Sequence, residues 1–446
     1  MKTSTSKRLR WNIAIWLAAG LFMTSAAGMA AGPIMPDPKA EARHQPQVEE
    51  TANGIPLVNI TAPSSGGVSR NEYETFNVPD KGAILNNSYT LSKTELAGYV
   101  QGNNNMAERP AKIIVNEVTG TGSTSMDGFL EVAGNRADVV IANPNGITVN
   151  GGGFINTGKA FLTTGKPVYD GEDHLQRFDI TGGDILIEGK GLGGKETESL
   201  AILSRAVKIN AGIWAEDLHI TTGANTVDAK TLEASAIEGK GGRPAFALDT
   251  AAIGGMYAGR ITLVGTEKGL GVNNSGTWSA EDNLTLDWNG DLKNSGTIYS
   301  KGNTDLRASR LENDKTIAAE RNLSAAAKEN IRNQGKLLAG ENMGIYAGKT
   351  LDNAGHAMES GNNLSIETGD AINNAAGTIK SGGSQQIKAG HTLTNTEGTL
   401  AADGNINIQT DKMTGDGIVS AGKKAGILLE KDFTNTGRLE QAAAFH

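Results

Sequence analysis

From about residue 274 onward the apolar positions of the chain follow two rhythms at once. Over short stretches they alternate with polar ones: Leu284, Leu286 and Trp288 in NLTLDW, Leu364 and Ile366 in NLSIET, Ile406 and Ile408 in NINIQT. A period of two sends alternate side chains to one face, as in a half-buried strand. Over longer stretches the whole pattern returns about every twenty residues. Turn-like starts fall at Asn274, Asn294, Asn313, Asn333, Asn353, Asn374, Asn395 and Asn435, at spacings of 20, 19, 20, 20, 21, 21 and 40, and GDGI at Gly415 fills the missing midpoint. Units this short and this rich in glycine and asparagine do not accommodate a helix pair, and they lack the L-x-x-L-x-L frame of a leucine-rich repeat. AAERNLSAAAKEN, around residue 325, is the one segment where a helix competes.

Repeats of this size with two or three short strands fit an all-β solenoid, a parallel β-helix with rungs of about 20 residues. Inward Leu, Ile, Val and Ala then form columns of core, and asparagines at equivalent turns stack as hydrogen-bonding ladders. If residues 51–440 were all coiled in this way, about 19 rungs at roughly 4.8 Å each would make a rod of about 90 Å. The first half is less regular but equally strand-rich, as in AKIIVNEV, ADVVIANP and GDILIEG. Within it, VIANPNGITVNGGGFINTG reads as strand, tight turn, strand, because Pro fixes φ, Gly allows positive φ and Asn bonds its own backbone.

Composition supports this picture and narrows the compartment. The 446 residues include 59 glycines, only 5% aromatics and no cysteine, and 49 acidic residues exceed 41 basic ones for a net charge of −8. Such a balance argues against a nucleic-acid partner. Lys2, Lys7, Arg8 and Arg10 precede a mainly apolar run from Trp11 to Met23 and then the small residues TSAAGMAAG. That order is a secretory signal peptide over residues 1–30, cleaved between Ala27 and Ala31, and no later stretch is long and apolar enough for an integral membrane span. Residues 31–50, with Pro33, Pro36, Pro38 and Pro46, read as an extended linker, so folded structure is expected from Thr51.

Catalytic chemistry is hard to find. GKGLGG at Gly189–Gly194 matches a dinucleotide-loop spacing, but no amphipathic helix follows it and a β-helix loop is the better reading. Histidines 44, 174, 219, 356, 391 and 446 lack metal-ligand spacing and read as surface residues. Glu172, Asp173 and His174 sit together in a loop without a nucleophile. No enzyme activity, cofactor or metal is expected. The competing class is an extracellular β-helix polysaccharide-degrading enzyme, disfavoured by few aromatics and by the lack of a paired-acid constellation.

Several long motifs occur in one colinear series: GIPLVNI at Gly54, SRNEYETFNV at Ser69, GAILNNS at Gly82, NNNM at Asn103, IIVNEVTG at Ile113, GNRADVVIANPNGITVNGGGFINTG at Gly134 and LDTAAIGGMYAGRITLVGTEKGLGVNNSG at Leu248. The series closely resembles the haemagglutination-activity domain of two-partner secretion exoproteins, the family of filamentous haemagglutinin, secreted haemolysins and contact-dependent inhibition proteins. The resemblance implies a right-handed parallel β-helix over residues 51–272, continued by filamentous-haemagglutinin-type repeats over residues 273–446. It also implies a secretion address read by an outer-membrane barrel with periplasmic polypeptide-transport-associated domains. Two asparagine-rich turns carry that role in the family. The second is intact here as Asn143, Pro144, Asn145, Gly146 and Ile147; the first, usually Asn-Pro-Asn-Leu, is represented by Asn103, Asn104, Asn105 and Met106. These residues either shape turns only or contact the transporter as well. Val149 and Gly152 stand where many relatives have a cysteine pair.

The resemblance therefore implies the targeting domain and first shaft of a large secreted or surface-exposed adhesin or toxin-delivery exoprotein from a bacterium with an outer membrane. Such a protein would meet a receptor on a host or neighbouring cell. The chain stops among repeats without a cap, as an N-terminal fragment or truncated relative would. Threading unfolded through a barrel, it would fold rung by rung outside, each rung contributing about 1–3 kcal/mol against backsliding.

Overall fold

The computed structural model describes residues 32–435 and 437–441, so the expected signal peptide lies outside the described residues. Nearly every strand stacks in parallel on its counterparts in the turns before and after it. One column of partners begins with Val68–Phe76, Ile113–Val118, Ala137–Ala142, Thr157–Thr163 and Ser199–Ser204, and ends with Ile406–Gly415 and Ala425–Asn435. It contains 15 strands, one per turn of a parallel β-solenoid.

The strands form where expected because their alternation is satisfied by burial. Leu286, Leu306, Ala325, Ile345, Ile366, Ile387 and Ile408 occupy one inward position on successive turns, and all are buried. Trp278, Ile298, Ile317, Leu337, Met358, Ile379, Leu400 and Val419 do the same in another column. The segment where a helix competes is the strand Leu323–Ala327, paired on one side with Thr304–Ala308 and on the other with Met343–Ala347. Ladder bonds to both neighbours and burial of Leu323, Ala325 and Ala327 outweigh the helix preference of its alanines.

The asparagine ladder forms as the repeat predicts. Each Nδ2 of Asn274, Asn294, Asn313, Asn333, Asn353 and Asn374 donates to the Oδ1 of the asparagine one turn later at 2.8–2.9 Å, ending on Asn395. All seven are buried, so each polar group that leaves water finds a fixed partner. A second, less buried ladder runs along Asn283, Asn303, Asn322, Asn342 and Asn363, where each Oδ1 accepts the backbone N–H of its successor's position.

Two expectations need correction. There are about 15 turns rather than 19, because the rungs are not uniform. Leu284 pairs with Thr304 and Ile406 with Ala425, 20 and 19 residues apart, but Val68 pairs with Ile113, Lys159 with Ser199 and Leu218 with Ile261, at 45, 40 and 43. The surplus leaves the solenoid as a hairpin, Ser92–Thr94 with Gly98–Val100, and as an antiparallel sheet of Lys166–Tyr169, Leu175–Ile180, Asn225–Asp228 and Ala234–Ala236. That sheet covers outward residues of the early turns: its Phe178, Ile180 and Val227 cluster with Val115, Val140, Phe161, Ala201 and Leu203. Strands buried on both faces explain the unbroken apolar runs of IIV and VVIA.

Residues 31–50, expected as a linker, are folded where described. Ile34–Pro36 pairs antiparallel with the strand Val68–Phe76, and Gln47–Glu50 with Pro56–Asn59. Between them His44 is buried. Antiparallel strands here occupy an edge that the first turn would otherwise leave open. Proline is tolerated in such a strand because an outer N–H has no ladder to join.

Candidate functional site

Two asparagine turns share one bonding scheme. In the first, buried Asn103 precedes the short 3-10 turn Asn104–Met106 and its Oδ1 accepts from Asn105 N at 3.0 Å. Its Nδ2 donates to Ile60 O at 2.9 Å and Asn86 O at 3.0 Å, and Asn105 Nδ2 reaches the same Ile60 O at 3.0 Å. In the second, buried Asn143 accepts from Asn145 N at 2.9 Å and donates to Gly122 O and Thr124 Oγ1, both at 3.0 Å. Asn145 Nδ2 donates to Gly120 O at 2.9 Å. In each, the first asparagine closes an Asx turn while the first and third tie it to backbone of a preceding segment.

The surrounding residues complete each turn differently. Met106 drops into the main core, and Ala107 and Glu108 follow with φ of 40° and 60°. In the second turn Gly146 takes φ 114°, with Asp184 O only 3.0 Å from where a Cβ would stand, and Ile147 enters the core between Thr124 and Ile185. Asn104, Pro144 and Asn145 remain exposed. Val149 is fully buried, and a Cβ on Gly152 would stand 3.0 Å from Val149 Cγ1, so these two positions face each other.

The first turn also borders a cavity of about 370 Å³ lined by Arg43, His44, Thr61, Arg70, Asn105 and Asp173. Around it lies a charge network that sequence reasoning missed. His44 Nδ1 is 3.1 Å from Glu72 Oε1, Arg70 reaches Glu72 at 2.8 Å, Arg43 reaches Asp173 at 2.6 Å, and Arg70 stands over the Tyr169 ring at 4.4 Å. Burial pushes the Glu117 carboxyl above its ordinary range, with Arg70 opposing the shift. The network joins the N-terminal segment, the first turns and the outer sheet. Only the clustering of charges in SRNEYE hinted at it, since its members lie up to 130 residues apart.

The remaining candidates do not assemble a reactive site. Glu172, Asp173 and His174 lie in the turn between Lys166–Tyr169 and Leu175–Ile180, where His174 pairs with Asp170 at 2.9 Å. Gly189 and Gly191 take positive φ in a turn, and Leu192–Gly194 is a strand, so GKGLGG leads into no helix. Contrary to the surface reading, His44 is buried and His219 nearly so. Among the described residues no cluster of His, Cys, Asp or Glu has the arrangement of a metal site, and no helix is long and apolar enough to cross a membrane.

Comparison with known proteins places this architecture. Residues 33–298 match the TPS secretion domain, and residues 299–409 and 381–444 match the haemagglutinin repeat. The chain is similar to a Toxin CdiA of Yersinia pestis, 42% identical over 61% of this chain and 9% of the relative. It is also similar to a 16S rRNA endonuclease CdiA of Enterobacter cloacae, 39% identical over 68% of this chain and 10% of the relative. The chain thus spans about a tenth of the length of these relatives. The crystal structure of a filamentous hemagglutinin secretion domain covers 92% of this chain and is itself covered completely, with a TM-score of 0.52 at 24% identity, a likeness of fold. A TPS secretion domain implies a cognate outer-membrane transporter, and TPS exoproteins are secreted or cell-surface proteins. With its model matching more than half of the residues, the chain belongs to the TPS secretion domain family, and haemagglutinin repeats continue its solenoid.

Proposed function

We propose that residues 33–298 form the address by which a cognate outer-membrane barrel, through periplasmic polypeptide-transport-associated domains, recognises and exports the chain. The repeats that follow begin the shaft of a large secreted or surface-exposed exoprotein. The match of the secretion-domain family over residues 33–298 carries this reading. The names of the relatives, a toxin and an endonuclease, favour toxin delivery over plain adhesion for the whole protein. Residues 33–444 themselves serve targeting and extension rather than catalysis, with a cleaved signal peptide bringing the chain to the periplasm.

The two turns divide the work by exposure. Buried Asn103, Asn143, Met106, Gly146 and Ile147 set the turns, whereas exposed Asn104, Pro144 and Asn145 are the contact surface for the transporter. The test expresses wild type, Asn143→Ala and Pro144→Ala in cells with and without the barrel, quantifying chain in medium and periplasm. Wild type is released only with the barrel, and both variants are retained. Asn143→Ala also lowers the melting temperature of the purified chain, while Pro144→Ala leaves it within about 2 °C. Equal release without the barrel removes the targeting role. Normal release of Pro144→Ala confines the turns to folding.

A further inference from the structure

One outward position of the solenoid carries aromatic residues on four of seven successive turns. The in-register partners there are Phe129, Gly153, Gly193, Trp214, Tyr257, Ser279 and Tyr299. Phe129, Trp214 and Tyr257 are 44%, 37% and 39% exposed, in a chain where aromatics are scarce. Trp214 and Tyr257 lie on adjacent turns with ring centroids 6.2 Å apart and planes only 16° from parallel.

Glycine fixes how these rings lie. A Cβ on Gly212, two residues before Trp214, would stand 2.5, 2.6 and 3.1 Å from three carbons of its six-membered ring. Those three distances place the ring face over Gly212, flat against the strand. The Tyr257 hydroxyl end reaches over Gly255 in the same sense, and Phe129 leans over Gly153 of the next turn. A side chain at any of these glycines would lift the ring, so the sequence holds a flat aromatic surface on the sheet. The polar partners of this surface are carboxylates and cations at its border: Glu216 is exposed, Asp217 pairs with Arg260 at 3.2 Å, and Lys301 pairs with Glu281.

We propose that this face binds a neutral pyranose glycan running along the solenoid axis, with Trp214 and Tyr257 stacking on sugar rings. The occupant follows from what surrounds the rings. A protein partner would need anchors inserted into pockets, but here the rings of Trp214, Tyr257 and Phe129 lie over Gly212, Gly255 and Gly153. A sugar presents C–H groups on its ring faces and hydroxyls at its edges, which suits flat aromatics bordered by carboxylate and guanidinium groups. Along this border Glu216, Asp217, Glu281 and Asp282 are matched by Lys190, Lys195, Arg260 and Lys301, so no net sign is offered that would select a charged chain over a neutral one. Four rings spread over seven turns, at roughly 4.8 Å per turn, offer an extended line rather than one closed pocket, the geometry for a polymer. The site shares no residue with either asparagine turn and does not depend on the targeting role.

Tryptophan fluorescence and calorimetry of the secreted chain, titrated with chitohexaose, cellohexaose and maltohexaose and with heparin as the polyanion, test this. Trp278 and Trp288 are buried, so a change on binding reports Trp214. At least one neutral hexasaccharide binds wild type, and Trp214→Ala and Tyr257→Ala each weaken it by at least about tenfold with unchanged melting temperature and unchanged barrel-dependent release. If no neutral hexasaccharide binds at millimolar concentration, or both variants bind as wild type does, the proposal is overturned. Heparin binding alone overturns it in favour of a polyanion site. Loss of binding to the barrel's periplasmic domains in Trp214→Ala, with the sugars inert, overturns it by assigning the face to the transporter.

Discussion

Asn313 serves three turns at once. Its Oδ1 accepts from Asn294 at 2.8 Å, while its Nδ2 donates to Asn333 Oδ1 at 2.8 Å and to Lys336 O at 3.1 Å. Asn313→Ala removes these bonds in a buried position and is expected to cost about 1–3 kcal/mol, read as a lower midpoint of urea unfolding. Asn313→Asp keeps the acceptor but turns a carboxylate oxygen toward Asn333 Oδ1, so at pH 7 it costs more than alanine. Burial raises that carboxyl's pKa above its unfolded value; the folded state then binds more protons, and stability recovers as pH falls through the mild acid range. An aspartate variant as stable as wild type at pH 7 would show that the ladder carries no directional hydrogen bonding. His219 has the opposite sign. Burial lowers its pKa from 6.5 to about 4, and its Nε2 lies 2.8 Å from Thr221 Oγ1. Between those values the unfolded chain holds the extra proton, so the contribution is complete above pH 6.5 and is lost as pH falls toward 4, at most roughly 3 kcal/mol. His219→Gln is expected to flatten this part of the pH dependence of urea midpoints between pH 7 and pH 4.5; equal slopes in both proteins would assign it to other groups.

At the scale of elements, the outer antiparallel sheet is the feature that departs most from a simple coil. Phe178 is fully buried beneath it, with its ring centroid 6.0 Å from that of Phe161 on the solenoid. Phe178→Ala opens a cavity between sheet and solenoid and is expected to cost about 3–5 kcal/mol, with the first protease cleavage falling between residues 164 and 182. Cleavage elsewhere would mean that the sheet and the turns beneath it unfold together. This sheet was not legible in the sequence, because KPVY, LQRFDI and NTVD carry the same short strand signals as rung strands, and period two does not say which sheet a strand joins. The repeats were legible for the opposite reason: one pattern of Leu, Ile and Asn recurs at a fixed spacing, and only stacking satisfies all copies together. Residues 31–50 read as a linker because four prolines argue against a ladder, although an edge strand accepts one such as Pro36. Both asparagine turns were legible as turns, but not that Asn103 and Asn143 are buried whereas Pro144 is exposed.

At the scale of the whole molecule, a solenoid held by nearest-neighbour contacts makes the length of a deletion matter more than its content. Removing residues 343–363 joins Asn342 to Leu364 and keeps every column in register. Leu323 then meets Leu364 in place of Met343, Leu337 meets Ile379 in place of Met358, and Asn333 passes its ladder bond to Asn374 in place of Asn353. One turn's interface is lost, worth about 1–3 kcal/mol, so the shortened chain is expected to fold, melt within a few degrees of wild type and leave the cell by the barrel. Removing only residues 343–352 takes away fewer contacts but sets turn residues against strand residues in the turns that follow. That chain is expected to be far less stable and to accumulate in the periplasm or be degraded. The order is opposite to what the number of missing residues suggests, and it separates two accounts of export. If folding outside the cell draws the chain forward, release rates measured by pulse labelling follow thermal stability across the two deletions. If the transporter moves the chain without help from folding, both deletions leave at the wild-type rate and differ only in their survival in the medium.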